Sequence, residues 1–192
     1  RMKKPKFVAA DGKGDIFVSD YGTHFIYKYD EAGQYVMRFG GPERSESPEG
    51  ICVDSSGNIM VVDSVDLNNH RAFAPDGKLL WVVGPRMKKP KFVAADGKGD
   101  IFVSDYGTHF IYKYDEAGRY VMRFGGPGRS ESPAGICVDS SGHIMVVGSV
   151  DLDNHRVVMY TGRGVYVRHF AFRAERPTGV AVGPGGQLVV TN

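Results

Sequence analysis

The residues best suited to chemistry in this chain are lysines set beside aromatic rings. Arg1-Met2-Lys3-Lys4-Pro5-Lys6 is a dense basic run, and it recurs at Arg86–Lys91 with Lys88, Lys89 and Lys91. Fifteen residues after Lys6 and after Lys91 stand Tyr21 and Tyr106, each opening a Tyr-Gly-Thr-His turn that ends on His24 or His109. Ammonium groups attract phosphate or carboxylate, and rings offer stacking surfaces, so this pairing is the chemistry of binding an acidic protein segment or an RNA backbone. The same residues also suit a solvated loop that keeps the chain soluble. Asn69-His70-Arg71 and Asn154-His155-Arg156 carry a similar choice. Arg71 and Arg156 either join the basic surface or hold neighbouring carbonyls, or an acid such as Asp63, within the fold.

Other reactive groups point away from catalysis. The six histidines are scattered rather than convergent, so no metal site is expected. His143 falls in a turn and His169 in an outer strand, where surface positions are expected. Asp11, Asp54, Asp96 and Asp139 occupy equivalent turns and are read as turn formers. Cys52 and Cys137 lie 85 residues apart and read as buried free thiols acting as small hydrophobes. Their use suits a reducing compartment, and a cytoplasmic location is expected. No cofactor is expected.

Composition narrows the classes further. With 24 Lys+Arg against 22 Asp+Glu, the net charge of +2 lacks the strong bias of a dedicated nucleic-acid binder. Two cysteines in 192 residues do not build a disulfide scaffold. No apolar run approaches the ~18 residues of a membrane-spanning helix, and no charged-then-apolar leader opens the sequence. At 42% hydrophobic and 11% aromatic, the chain can bury a core. Because it opens on Arg1 rather than Met, it is expected to be part of a longer protein.

The elements that must position these groups emerge from repeats. Residues 1–71 return at 86–156 with six differences: Gln34/Arg119, Glu43/Gly128, Glu49/Ala134, Asn58/His143, Asp63/Gly148 and Asn68/Asp153. Each is reachable by a single base change, which fits a recent tandem duplication; an engineered repeat scaffold is the alternative. An older period lies inside each 85-residue unit. Pro5, Pro48, Pro90, Pro133 and Pro177 are spaced 43, 42, 43 and 44 apart. Each is followed by a turn Asp (Gly183 in the fifth), then by a glycine three residues on. Nine residues after that turn position come Asp20, Asp63, Asp105, Gly148 and Asn192.

Each period reads as four strands. Phe7–Ala10 and Gly50–Val53 are short runs of small and branched residues, as expected of a strand buried on both faces. Asp-Gly-Lys-Gly and Asp-Ser-Ser-Gly are hairpin turns whose last glycine tolerates positive φ. Ile16–Ser19 and Ile59–Val62 form second strands, and Phe25–Tyr29 and Tyr35–Phe39 form the third and fourth. Small residues come first and aromatic ones later, as in a blade crowded near an axis and roomier outside. The expected fold is all-β: a β-propeller of four-stranded blades at 5–47, 48–89, 90–132 and 133–176, with a partial blade at 177–192. Four and a half blades make an open arc or a fragment of a larger ring, whose edges invite self-association. The third strand of the second blade is expected to be short, because Arg71 to Gly77 spans six residues where Arg156 to Gly164 spans eight. Trp81 is expected on an outer strand, packing between blades.

This topology sorts charge by face. Loops between blades and between second and third strands share one face, which carries an excess of cations; the hairpin turns on the opposite face carry an excess of acids. Lys3, Lys4, Lys6, Tyr21, His24 and Arg71, with Lys88, Lys89, Lys91, Tyr106, His109 and Arg156, all fall on the first face as candidate binding residues.

Pro48-x-Gly50-Ile51-x-Val53-Asp54-x-x-Gly57-Asn58-Ile59-x-Val61-x-Asp63, followed by Asn69-His70-Arg71, closely resembles the NHL repeat. Pro133–Arg156 repeats the pattern with Gly148 in place of the Asp, and Pro177-Thr178-Gly179-Val180-Ala181-Val182 opens another. The Pro5 and Pro90 repeats are looser, with Thr-His-Phe where Asn-His-Arg would stand. The resemblance implies a propeller that usually closes with six blades. It also implies a non-catalytic recognition module of the kind found at the C-terminus of tripartite-motif (TRIM) ubiquitin ligases, binding protein or RNA. Similar propellers include a peptide-amidating lyase and lactonase-like hydrolases, which hold a metal on the axis. Here the matching inner-strand positions are Lys6, Glu49, Lys91, Ala134 and Thr178, which form no ligand set.

Overall fold

The computed structural model describes residues 1–43, 47–64, 70–83, 86–129, 132–149, 155–171, 177–183 and 185–191. Every regular element among them is a strand. The first compact unit, Arg1–Arg86, holds two antiparallel sheets. One is β1 (Pro5–Ala10), β2 (Ile16–Asp20), β3 (Phe25–Tyr29) and β4 (Tyr35–Gly40); the other is β5 (Pro48–Val53), β6 (Ile59–Asp63), β7 (His70–Phe73) and β8 (Leu79–Val83). The second unit, Met87–Asn192, holds β9 (Pro90–Ala95) to β12 (Tyr120–Gly125), with β10 at Ile101–Asp105 and β11 at Phe110–Tyr114. It continues with β13 (Ile136–Val138), β14 (Ile144–Ser149), β15 (His155–Tyr160) and β16 (Tyr166–Ala171), then the two-stranded sheet β17 (Gly179–Val182) and β18 (Leu188–Thr191). In every four-stranded sheet the spatial order is the chain order, as in a propeller blade.

Local chemistry explains the hairpins. Asp11 Oδ1 accepts the amides of Lys13 (2.8 Å) and Asp15 (2.9 Å), and Gly14 sits at φ +90°. Asp54 repeats this with Ser56 and Asn58, and Asp139 with Ser141 and His143. Each is an Asx turn closed by a glycine in the left-handed region, which bears out the turn reading.

Inside each unit, successive sheets stack through their first strands: β1 lies beside β5, β9 beside β13, and β13 beside β17. Between the stacked sheets lie aromatic cores. In the first unit Phe17, Ile26 and Phe39 meet Ile51, Ile59, Val61 and Phe73, with the Phe39 and Phe73 rings 5.1 Å apart. In the second, Phe102, Ile111 and Phe124 meet Ile136, Ile144, Val158 and Tyr160, and Phe124 lies 5.1 Å from Tyr160. The partial fifth blade covers Met145, Val147 and Val157 with Val180, Val182, Leu188 and Val190.

Two details refine the expectations. Strand β7 is four residues long, so the short third strand is present; its register shift at Ala72/Phe73 recurs between the third and fourth strands of the other three blades. The doubly buried first strand holds for β5 but not for β1: Val8 is 65% exposed, whereas its counterpart Val93 is 7% exposed. Phe7 and Ala9 pack against the core shared with the second sheet, and Val8, alternating with them, faces away from it. Cys52 and Cys137 are free and half-buried rather than fully buried. Burial and the nearby Asp139 push the Cys137 thiol up to about 12, and burial with Asp54 pushes Cys52 higher still, so neither is a reactive thiolate. Trp81 lies half-buried on β8, opposite Ala72.

Candidate binding surface

The Lys-Lys loop and the Tyr-Gly-Thr-His turn are brought together in both units, and the acid ending the second strand is what joins them. Asp20, fully buried, accepts the backbone amides of Lys3 (2.6 Å), Lys4 (2.8 Å) and Gly22 (2.9 Å). Burial alone would raise its pKa, but the amides of Lys4, Lys3 and Gly22 and the Thr23 side chain together hold it below the usual value. Asp105 does the same for Lys88 (2.8 Å), Lys89 (2.7 Å) and Gly107 (2.9 Å), and also accepts from the Thr108 hydroxyl at 2.8 Å. The turn closes back on the loop through Tyr21 N–H to Lys4 O (3.1 Å) and Tyr106 N–H to Lys89 O (3.0 Å).

Glycine is required at the second turn position by space. A Cβ on Gly22 would lie 2.8 Å from Lys3 Cβ, and one on Gly107 would lie 2.7 Å from Lys88 Cβ and 3.0 Å from the Lys89 amide nitrogen. The backbone of the loop is thus clamped while its lysine side chains stay exposed.

Tyr21 and Tyr106 are partly exposed, at 39% and 42%. Lys6 Nζ lies 5.4 Å from the Tyr21 ring centre and Lys4 Nζ 6.0 Å, while Lys91 Nζ lies 5.1 Å from the Tyr106 ring. These are cation–π distances. The two units differ in one respect. Lys6 pairs with the buried carboxylate of Glu49, which also accepts from Ser64 Oγ at 3.3 Å. Lys91 has Ala134 at the matching place, so no such carboxylate faces it there.

The histidines and arginines divide differently. His24 and His109 adopt left-handed backbone (φ 64° and 65°), which tightens the turn before the third strand. His109 Nδ1 accepts the Ser132 amide at 2.9 Å, tying this turn to the linker before β13. Arg71 is 8% exposed and its Nη1 lies 3.5 Å from Asp63 Oδ2; Asp63 also accepts the Ser47 amide at 3.0 Å. Arg71 is therefore turned into the fold. Arg156, whose Asp63 counterpart is Gly148, instead donates through Nη2 to the carbonyls of Gly128 and Arg129, both at 3.2 Å. His70 is buried, and burial with the adjacent Arg71 charge drives its pKa down to about 3. The side chain of His155 lies outside the described residues, as do Arg44, Asn69 and Asn154.

Sequence reasoning placed the lysines and tyrosines on one face but missed Asp20 and Asp105 as the clamps. Their regular spacing was visible; their amide partners lie 16 and 17 residues back, a pairing no local pattern displays. Among the described residues, no group of three or more His, Cys, Asp or Glu side chains is arranged to hold a metal ion, and no helix is long and apolar enough to cross a membrane.

No family model matches the chain. Among curated sequences it is 32% identical to protein brain tumor of Drosophila melanogaster over 131 residues, covering 65% of this chain and 13% of that one. It is 24% identical to human NHL repeat-containing protein 3, covering 74% and 48%, and 31% identical to the B-box type zinc finger protein ncl-1 of Caenorhabditis elegans, covering 52% and 12%. The chain thus spans at most about half the length of these relatives. Among solved structures, virginiamycin B lyase from Staphylococcus aureus superposes with a TM-score of 0.82 at 18% identity, over 97% of this chain and 62% of that one. Kuenenia stuttgartiensis hydrazine synthase gives 0.80 at 14% identity, covering 98% and 55%. A protein described as a gluconolactonase gives 0.75 at 18%, covering 97% and 70%. At these identities the structures share the fold alone. The fold class and the repeat type expected from the spacing are both met.

Proposed function

We propose that this NHL-repeat β-propeller segment is a recognition module that performs no chemistry and binds an acidic protein segment or RNA through its Lys-Tyr loop face. The observation that carries this reading is the clamped arrangement in each unit: Asp20 and Asp105 fix the lysine loop backbone against a partly exposed tyrosine, leaving the ammonium groups outward. Preorganised cations beside a ring lower the ordering cost of binding an anionic partner. The B-box in the name of the C. elegans relative supports placing such a module in a TRIM-like chain. There it would choose the substrate while ubiquitin ligase chemistry resides in other domains.

The test is a binding titration of the whole chain against single-stranded RNA and against an acidic peptide. Replacing Lys3, Lys4, Lys88 and Lys89 with Glu is expected to abolish salt-sensitive binding; unchanged affinity overturns the reading. A second reading, a metal-dependent lyase or lactonase, is favoured by the fold shared with virginiamycin B lyase and the gluconolactonase. It requires stoichiometric Ca²⁺ or Zn²⁺ to survive dialysis of the folded protein.

A further inference from the structure

The duplicated units differ most in consequence around one arginine. In the first unit Arg71 meets Asp63, and the linker position before Arg44 is Glu43. In the second, both acids are gone: Gly148 replaces Asp63 and Gly128 replaces Glu43. An open cavity of about 280 Å³ lies there, lined by Gly128, Arg129, Arg156, Tyr166 and His169. None of these described lining side chains is acidic. Arg156 Nη2 is held by the Gly128 and Arg129 carbonyls, which fixes the guanidinium plane, while its Nε is buried with no hydrogen-bond partner. Also lining it, Tyr166 OH and His169 Nδ1 are 2.7 Å apart, both on the exposed strand β16 that pairs with β15. That strand lies past the duplicated segment, and the corresponding positions on β8 are Leu79 and Val82. The first unit therefore lacks this polar wall, and its Arg71 stands at the strand position that Val158 fills in the second.

From this the geometry points to an oxyanion pocket in the second unit, taking a phosphate monoester group between Arg129 and Arg156 with Tyr166 and His169 as further polar contacts. With Nη2 taken up by two carbonyls and Nε closed off from solvent, Nη1 is the part of the Arg156 guanidinium left to meet an oxyanion, in a charge-assisted contact. The chemistry is shared by inorganic phosphate and by a phosphorylated side chain of a protein partner. The inference rests on the recognition-module reading only in taking Arg156 as a ligand-facing group.

Isothermal titration of the full chain with inorganic phosphate, with a phosphotyrosine peptide and with its unphosphorylated form tests this. Saturable phosphate binding is expected, with the phosphopeptide tighter than free phosphate and the unphosphorylated peptide silent. Gly148→Asp, which restores the acid of the first unit, and Arg129→Gln are each expected to weaken binding about tenfold or more. Circular dichroism melting shows that each variant is folded. Lys88→Gln with Lys89→Gln should leave phosphate binding unchanged while weakening the loop-face interaction, so the two readings fail separately. Absence of saturable phosphate binding, equal binding by Gly148→Asp, or RNA binding lost in these variants without any phosphate binding would each overturn the pocket.

Discussion

Arg71 Nη1 lies 3.5 Å from Asp63 Oδ2, both side chains buried, whereas Arg156, its counterpart in the duplicated sequence, pairs with Gly148 two strand positions earlier and turns to two backbone carbonyls, Val158 standing where Arg71 would. A two-residue shift in strand pairing, together with the Asp63/Gly148 exchange, thus moves an arginine from fold-holding to a cavity wall. Removing one partner of a buried pair strands the other charge, so Asp63→Gly is expected to destabilise the first unit by about 3 kcal/mol. Denaturant unfolding measures it. A change below about 0.5 kcal/mol would mean that the pair contributes little to the fold.

Asp105 holds three amides and one hydroxyl while itself fully buried. Asp105→Ala leaves those donors without their acceptor, at a cost of about 2 to 3 kcal/mol. The consequence for function is local: amide hydrogen exchange at Lys88, Lys89 and Gly107 should accelerate more than in the β10–β11 ladder. Uniform acceleration across the sheet would show that Asp105 supports the blade rather than the loop.

Gly107→Ala places a Cβ 2.7 Å from Lys88 Cβ and 3.0 Å from backbone nitrogen. Backbone cannot swing aside as a side-chain tip does, so a loss of about 1 to 3 kcal/mol is expected by thermal melting. Gly97→Ala has open space and serves as the control that should be close to neutral.

Stability is also expected to fall in mild acid. His70 is held neutral in the fold, its pKa lowered by burial and by Arg71 to about 3 from its ordinary 6.5. Above 6.5 neither state binds the proton and nothing is lost. Between 6.5 and about 3 the unfolded chain takes up a proton that the folded one refuses, so stability drops as pH falls through that window. Asp20, whose folded pKa is lowered, adds a loss in the same direction only below its ordinary 3.8. Replacing His70 with Phe should flatten the upper window by a few kcal/mol at pH 4; an unchanged pH profile would remove His70 from this role.

The strands were legible because their signals are local. Phe25–Tyr29 is a strand with those bounds, and Tyr35–Phe39 gains only Gly40. The shortened β7 followed from counting Arg71 to Gly77. What stayed hidden depends on contacts between elements. The lysine cluster was visible as composition, but not that Asp20 ties Lys3 and Lys4 down, nor that Lys6 pairs with Glu49 across two first strands. His24 and His109 looked like binding groups because of their type, whereas positive φ gives them a turn-forming role that only backbone angles reveal. Val8 and Val93 share an identical sequence context and differ ninefold in exposure, a difference no local pattern displays.

The central claim is that the clamped Lys-Tyr loops receive an anionic partner. The most direct measurement is the affinity of the whole chain for a single-stranded RNA and for a poly-glutamate peptide across a salt series, compared with Lys88→Gln/Lys89→Gln and with Tyr106→Ala. The account predicts that log affinity falls linearly with log salt and that the double lysine variant reduces the slope by about 1.4 for the single-stranded RNA. It also predicts that Tyr106→Ala weakens binding without changing the slope. A slope and affinity identical in all three proteins, for both partners, would contradict it.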